Sequence, residues 1–161
     1  MQVPVQSGKL SGSYEIPDGV TTISDEAFWK CAGLTEITIP ATVTNMGKYV
    51  FCECKGLTSV TIPEGVTVIG DHAFMNCIQL TSVSIPNTVA TIEQYAFFSS
   101  GLKTIDIPGS VACIGYRAFD EDCEIRYSGT KAQWEAIEKV DGWHGDSFAA
   151  AIVCADEIVI V

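Results

Sequence analysis

Seven cysteines and two histidines are the side chains in this sequence with the most potential for chemistry. A cysteine beside a histidine can form a nucleophilic pair, and Cys77 follows His72 by five residues. A nucleophile needs an accessible thiolate, whereas burial raises the pKa of a thiol and hides it. Cys77 recurs at equal spacing with other cysteines, which predicts burial, and the sequence has no familiar hydrolase, phosphate-binding or dinucleotide-binding motif. We therefore predict no catalytic residues and no enzymatic activity.

The spacing of the cysteines indicates that they pack in a core rather than bind a metal. Cys31, Cys54 and Cys77 stand 23 residues apart, and Ser100 takes the next place in the series. Side chains that recur at the interval of a repeat stack on one another, so we expect a ladder of small buried thiols. Neighbours in the ladder would be close enough for a disulfide, which stays open as an alternative. Cys52-x-Cys54 has no matching pair or suitable histidine, so no metal or other cofactor is predicted.

The charge of the chain narrows the classes of partner. An acidic run, Asp120-Glu121-Asp122 with Glu124, lacks the alternating ligand spacing of a calcium loop and is interpreted as a solvated turn. With 20 acidic and 9 basic residues the net charge is −11, and no basic cluster exists that would bind nucleic acid. No apolar run reaches the 18 or so residues of a membrane-spanning helix. The first residues do not resemble a secretory signal, so a cytoplasmic location stays open.

A repeat of 22 or 23 residues must position all of these side chains. Ile-Pro recurs at 16–17, 39–40, 62–63, 85–86 and 107–108, with a phenylalanine twelve residues after each isoleucine: Phe28, Phe51, Phe74, Phe97 and Phe119. Four units end in Leu-x-x-(Ile/Val)-x-Ile, which is typical of the strand of a leucine-rich repeat. A single unit cannot bury its apolar side, but stacked units form a continuous core. We predict an α/β or mainly-β, right-handed solenoid of five coils with one parallel sheet and the phenylalanines inside.

The repeat resembles a known family. The stretch from Ile62 to Val83 is similar to the BspA-type (treponemal) leucine-rich repeat of bacterial surface proteins, and the resemblance covers residues 16–127. The tail, with Gly129-Thr130, Gln133-Trp134 and later Cys154-x-Asp156, resembles the segment that closes many of these proteins. The resemblance implies an extracellular or cell-surface location and a role in adhesion.

The chain is expected to form one domain, 1–161. Residues 1–15 are interpreted as a degraded N-terminal strand, 16–127 as the five coils and 128–161 as a C-terminal cap. In the cap we predict a helix over 128–140, opened by a capping box of Thr130 and Gln133. Strands are predicted over 149–153 and 158–161.

The positions of the side chains within the repeat predict two candidate binding surfaces. The outward positions of the strands are mostly short hydroxyl residues, which also suit an ordinary solvent-facing sheet. They are Thr35, Glu36, Thr38, Thr58, Ser59, Thr61, Thr81, Ser82, Ser84, Lys103, Thr104 and Asp106. No aromatic ring stands among them for stacking on a sugar, so a protein is favoured over a glycan. Tyr49, Tyr95 and Tyr116 lie nine or ten residues after the isoleucine of their units and are predicted to form an aromatic stripe.

The functional hypothesis is a non-catalytic macromolecular interaction module. It would belong to a bacterial cell-surface or secreted adhesin-like protein and contact a protein of a host or of a neighbouring cell. The alternative is a structural spacer or self-assembling unit without a separate ligand. The expected state is a monomer or a weak oligomer joined through its ends, where the apolar residues 158–161 could pair with another chain.

Overall fold

The chain is mainly β. The computed structural model describes residues 1–3, 6–144 and 151–159, and these contain fifteen short strands and one short helix. In chain order the elements are β1 (Gln2–Val3), β2 (Ser11–Glu15), β3 (Thr22–Ile23), β4 (Gly33–Thr38), β5 (Asn45–Met46), β6 (Ser59–Thr61), β7 (Val68–Ile69), β8 (Ser82–Ser84), β9 (Thr91–Ile92), β10 (Thr104–Ile107), β11 (Cys113–Ile114), β12 (Glu124–Tyr127), α1 (Lys131–Ala136), β13 (Glu138–Lys139), β14 (Ile152–Val153) and β15 (Ile158–Val159).

The coils stack so that the strands form two parallel walls. The even-numbered strands β2 to β14 form the strand wall, on which Ser59 lies beside Ser82 and Thr104 beside Glu124. The odd-numbered strands β1 to β13 form a second wall, on which Thr22 pairs with Asn45. Among the described strands only β15 runs antiparallel, against β14. The prediction of a parallel-strand leucine-rich-repeat solenoid is confirmed.

Each Ile-Pro pair makes the corner between the two walls. The carbonyl of each proline accepts a hydrogen bond from the N–H of the valine three residues later, as from Val43 to Pro40 (3.0 Å) and from Val111 to Pro108 (3.1 Å). Proline has no N–H to lose from the ladder, so it ends the strand without an unsatisfied donor. The valine then turns into the core.

The core is a column of repeated apolar side chains. Phe28, Phe51, Phe74, Phe97 and Phe119 are all buried, and successive ring centroids are 5.2, 5.3, 5.3 and 5.9 Å apart. Their planes lie within 17° of parallel, so each ring covers the face of the next. The predicted phenylalanine ladder is confirmed.

A third wall, the turn wall, consists of the segments 24–32, 47–55, 70–78, 93–101 and 115–123. Two positions in these turns adopt a left-handed backbone without glycine, ten and fourteen residues after the isoleucine: Tyr49 and Glu53 in one coil, His72 and Asn76 in the next. This geometry aims N–H groups at the following coil, where the N–H of Tyr49 donates to the carbonyl of Asp71 (2.9 Å). Backbone hydrogen bonds therefore join successive coils along the turn wall, although it contains no strand among the described residues.

The N-terminal segment forms a further coil, so the prediction of five coils is wrong and six precede the cap. Strand β1 pairs with β3 and β2 with β4. Between them the N–H of Gln6 donates to the carbonyl of Ala27 (2.6 Å) and that of Gly8 to Trp29 (2.9 Å), as in later turns. Gln6 thus occupies the place that phenylalanine holds in the other coils. This coil has neither Ile-Pro nor phenylalanine, so it lacks the two most regular features of the repeat.

The cap closes the last coil, but its helix is shorter than predicted. The capping box of Thr130 and Gln133 is present, yet α1 covers only Lys131–Ala136. Residues 138–139 form β13 instead, which pairs with β11 and extends the second wall. The last coil leaves backbone groups of β11 open, and satisfying them outweighs one more helical turn. Val140, at the end of the range predicted to be helical, is 47% exposed. Strands β14 and β15 lie within the predicted ranges, whose residues 149–150 and 160–161 lie outside the described residues.

Candidate functional site

The strand wall carries the predicted hydroxyl surface. Of the twelve residues named for it, all are exposed except Thr104, which is half-buried. Thr58 and Thr81 donate their hydroxyl hydrogens to the carbonyls of Thr35 and Thr58, both at 3.4 Å. Two hydroxyl groups of this surface therefore donate to backbone carbonyls of the preceding coil. This supports the interpretation of the strand wall as an ordinary solvent-facing sheet. A binding role for the strand wall stays a prediction.

The turn wall brings the predicted tyrosines together and adds a residue that sequence reasoning missed. The ring centroids of Tyr49 and His72 are 4.5 Å apart, those of His72 and Tyr95 4.7 Å, and those of Tyr95 and Tyr116 5.4 Å. These four half-buried side chains are called the tyrosine row. His72, named above only as a possible partner of Cys77, is a member of this stack. The signal was its position, ten residues after Ile62 as Tyr49 is after Ile39.

A buried carboxylate holds the imidazole in the row. Asp71 is 8% exposed, and its carboxylate forms a hydrogen bond with Nδ1 of His72. Nε2 of Gln94 donates to its second oxygen (3.2 Å), and the N–H of Asp71 donates to the carboxylate of Glu93 (2.7 Å). An Asp–His pair can serve as a general base. Here the flanking tyrosine rings cover the imidazole on both sides, so the arrangement is better explained as one that fixes its orientation.

A second row runs parallel to the first on the same wall. Trp29, Cys52, Met75 and Phe98 each stand thirteen residues after their isoleucine and are called the outer row. Cys52 is buried and hydrogen-bonds with Trp29, whereas Trp29, Met75 and Phe98 are half-buried. The rings of Phe98 and Tyr95 meet edge to face at 5.6 Å, which joins the two rows.

The repeat places the chain in a family. The family model of the BspA type leucine-rich repeat region matches residues 7–126 with six copies of the repeat, including the N-terminal coil. The chain belongs to the BspA-type leucine-rich repeat family. Among curated proteins, none matches this BspA-type chain.

Two solved structures of leucine-rich repeat proteins are similar to this BspA-type chain. A leucine-rich repeat protein of Bacteroides ovatus is 30% identical over 74% of the chain, with a TM-score of 0.68. A leucine rich cell surface protein of Faecalibacterium prausnitzii is 34% identical over 72% of the chain, with a TM-score of 0.56. In both cases the match spans 38% of the other protein's length.

Three cysteines of this BspA-type repeat form the predicted ladder, and all seven cysteines of the chain are free thiols. Cys31, Cys54 and Cys77 are fully buried, and the Sγ of Cys54 and Cys77 donate to the carbonyls of Phe28 and Phe51 at 3.1 and 3.0 Å. Burial raises the pKa of Cys54 and of Cys77 well above the usual value for a thiol. A thiol so placed is a poor nucleophile, which argues against the Cys77–His72 pair.

Acidic residues line a cleft of about 380 Å³ at one end of the turn wall. Phe98 and Arg117 line it together with Asp120, Glu121 and Asp122. Burial raises the pKa of Asp120, although its carboxylate accepts a hydrogen bond from the N–H of Ser99 (2.7 Å). The predicted solvated turn is thus anchored at Asp120 and exposed at the next two residues.

A second cleft, of about 360 Å³, lies where the strand wall meets the cap. Asp106 and Arg126 line it, and Nε of Arg126 donates to Glu124 (2.8 Å). No group of three or more His, Cys, Asp or Glu side chains among the described residues is arranged to hold a metal ion. Nor does any helix in the described ranges have the length and apolar content to cross a membrane.

Proposed function

We propose that this chain is a non-catalytic protein-interaction module of a bacterial cell-surface protein, and that it contacts a protein of a host or of a neighbouring cell. One observation carries the proposal. The core accounts for the repeated aliphatic and phenylalanine side chains. Two further rows of mostly aromatic side chains lie in register on the turn wall, and every member except the buried Cys52 is half-buried. Aromatic residues held rigidly at a surface are enriched where proteins bind one another.

The surface location is supported by the family and by one relative. The F. prausnitzii protein is described as a cell surface protein, and it is 34% identical to this chain. A stacked solenoid is also suited to the task, because each coil is held by its neighbours and presents a preorganised surface that loses little entropy on binding.

The charge of the chain favours a separate partner over self-assembly. At −11, copies of the chain repel one another at moderate ionic strength. Sedimentation of the purified chain across a range of concentrations should therefore show a monomer. Concentration-dependent growth into larger species would instead favour the spacer or self-assembling unit.

Two experiments test the proposal directly. Antibodies raised against the purified chain should label intact cells of the producing bacterium, which checks the location. The immobilised chain should retain proteins from solubilised host or bacterial surfaces in a saturable way that free chain competes away. Absence of labelling together with absence of competed binding would reject the proposal.

A further inference from the structure

The two rows on the turn wall, the tyrosine row and the outer row, together form one surface that we call the turn-wall patch. We propose that the turn-wall patch binds an amphipathic α-helix that lies along the solenoid axis and carries Lys or Arg beside its apolar face. This inference rests on the proposed function and names the wall and the class of partner.

The spacing of the patch matches a helix better than a strand. Successive coils repeat at 4.5 to 5.9 Å, as the ring centroids of the tyrosine row and of the buried phenylalanines show. An α-helix has a pitch of about 5.4 Å, so one side chain per turn would meet one coil. An extended strand laid the same way presents a side chain on one face every ~6.7 Å and drifts out of register within two coils.

The outer row offers the kind of contact that an apolar helix face requires. Trp29 stands at one end, Phe98 at the other, and Met75 lies between them. Methionine adapts its shape to an apolar partner, and helix-binding surfaces often use it for that reason. The four coils from Trp29 to Phe98 span about 16 Å, which corresponds to about three helical turns.

The charges around the patch select a basic partner. The five segments of the turn wall contain eight Asp or Glu residues and four Lys or Arg residues. Three of those acids, Asp120, Glu121 and Asp122, line the cleft beside Phe98 together with Arg117, and Asp122 pairs with Lys103. Glu121 is exposed there and is the carboxylate that a Lys or Arg at the end of the helix would meet. The same charges repel a second copy of this chain, whose turn wall is equally acidic.

A glycan fits the patch less well than a helix does. Sugars stack on open ring faces, but Tyr49 and His72 lie 18° from parallel and cover each other's faces. The Tyr95 ring meets those of Phe98 and Tyr116 edge to face, so it too is engaged by neighbouring rings.

The test uses the whole chain and synthetic probes. The first probe is a helical peptide of about 14 residues with Leu at i, i+3, i+4 and i+7 positions and Lys on both flanks. Matched probes replace every Leu by Ser, or every Lys by Glu. Binding is measured by fluorescence anisotropy at about 0.15 M salt, where weak long-range attraction is screened. The Leu/Lys probe should bind at least about tenfold more tightly than either matched probe, a difference that one or two buried contacts supply.

Variants locate the binding wall. Met75→Ser with Phe98→Ser should weaken binding of the Leu/Lys probe about tenfold or more. The matched strand-wall variant, Thr58→Ala with Thr81→Ala, should leave binding within about twofold. Should the first variant lose its fold by circular dichroism, Glu121→Lys changes an exposed residue of the acidic cleft and should also weaken binding.

Several results would overturn the inference. These are equal affinity for the Leu/Lys and Ser/Lys probes, undiminished binding by the Met75/Phe98 variant, or loss of binding in the strand-wall variant. Self-association that disappears in the Met75/Phe98 variant would assign the patch to a second copy and would also overturn it. If the natural partner is captured equally by the parent and by the Met75/Phe98 variant, the inference fails while the proposed function stands.

Discussion

The buried thiols should make the fold unusually sensitive to alkaline pH. Burial raises the pKa of Cys52 to about 11 and that of Cys123 to about 12, from a usual value of 9.0, and raises those of Cys54 and Cys77 further. The unfolded chain ionises these thiols near 9, whereas the folded chain keeps them protonated. Above pH 9 the folded state therefore binds more protons, and the free energy of unfolding must fall as pH rises.

The size of this effect follows from proton linkage. Between pH 9 and pH 10 a thiol that ionises only in the unfolded chain costs about 1 kcal/mol of stability, because each full pH unit is worth at most about 1.4 kcal/mol. Four such thiols give about 4 kcal/mol over that unit. Small domains have about 5 to 15 kcal/mol in total, so much of the stability should disappear. Below pH 8 these thiols should contribute almost no pH dependence.

The assay is guanidinium unfolding between pH 7 and pH 10 with a reductant present, followed by the fluorescence of the three tryptophans. A variant with Cys54→Ser and Cys77→Ser provides the control, since Ser100 already occupies the equivalent place in the next coil. Its loss of stability between pH 9 and pH 10 should be about half that of the parent chain. The difference between the two slopes isolates the thiols from tyrosine and lysine ionisation.

A flat free energy of unfolding from pH 9 to pH 10 would refute the reasoning, as would equal slopes for the parent and the double variant. Either result would mean that Cys54 and Cys77 reach water in the folded chain. The ladder would then be open, and the argument against a reactive Cys77 would fail with it.

Three further predictions concern stability alone and are checked by thermal or guanidinium unfolding. Phe74→Ala should cost about 3 to 5 kcal/mol, because the ring is fully buried between two others, whereas the exposed Thr81→Ala should change stability by less than about 0.5 kcal/mol. Gly115→Ala should destabilise by about 1 to 3 kcal/mol, since a Cβ there would lie 2.4 Å from a backbone nitrogen of the preceding coil, while Gly109→Ala, with its nearest atom at 3.5 Å, should be tolerated. Thr130→Ala should cost about 1 kcal/mol through loss of the helix cap, and an unchanged midpoint would show that the cap helix contributes nothing.

The interior could be predicted from the sequence because residues one repeat apart lie next to each other in a stacked solenoid. Phe28 and Phe51 are 23 residues apart, and that interval alone places one ring on the next at 5.2 Å. The same reasoning gave the thiol ladder. In both cases the side chain has no alternative partner, so the periodic pattern determines its surroundings.

The first coil was predicted only as a degraded strand, because most of its regular features lie in the backbone. Gln6 takes the place of phenylalanine, and Gly8, with φ of 70°, takes a left-handed position that Lys30 holds in the following coil. The backbone N–H groups of these residues form the same hydrogen bonds to the next coil as in later turns, but their side chains do not match the apolar positions of the repeat. A terminal coil meets solvent on one side, so backbone pairing can hold it where apolar repetition is absent.

The surface was predicted in part for a related reason. The regular interval brought Tyr49 and Tyr95 to one row, but His72 was considered only as a possible partner of Cys77 and was not placed in the row. In a repeat, the position of a residue in the coil determines which side chains surround it, so its residue type alone does not predict its contacts. The carboxylate of Asp71, which orients the imidazole, is one position earlier in the repeat than the row itself and gave no periodic signal.

The left-handed backbone of the tyrosine row bears on what its side chains contribute. Tyr49 and Tyr95 adopt φ of 55° and 54°, a conformation that glycine or asparagine enters more readily and that costs other residues about 1 to 2 kcal/mol. An aromatic contact contributes about 0.5 to 1.5 kcal/mol beyond its buried area. Stacking against His72 therefore offsets the backbone strain but leaves little surplus. The stability of the solenoid alone gives no strong reason for tyrosine at these two positions, whereas a rigid ring edge directed towards a partner does.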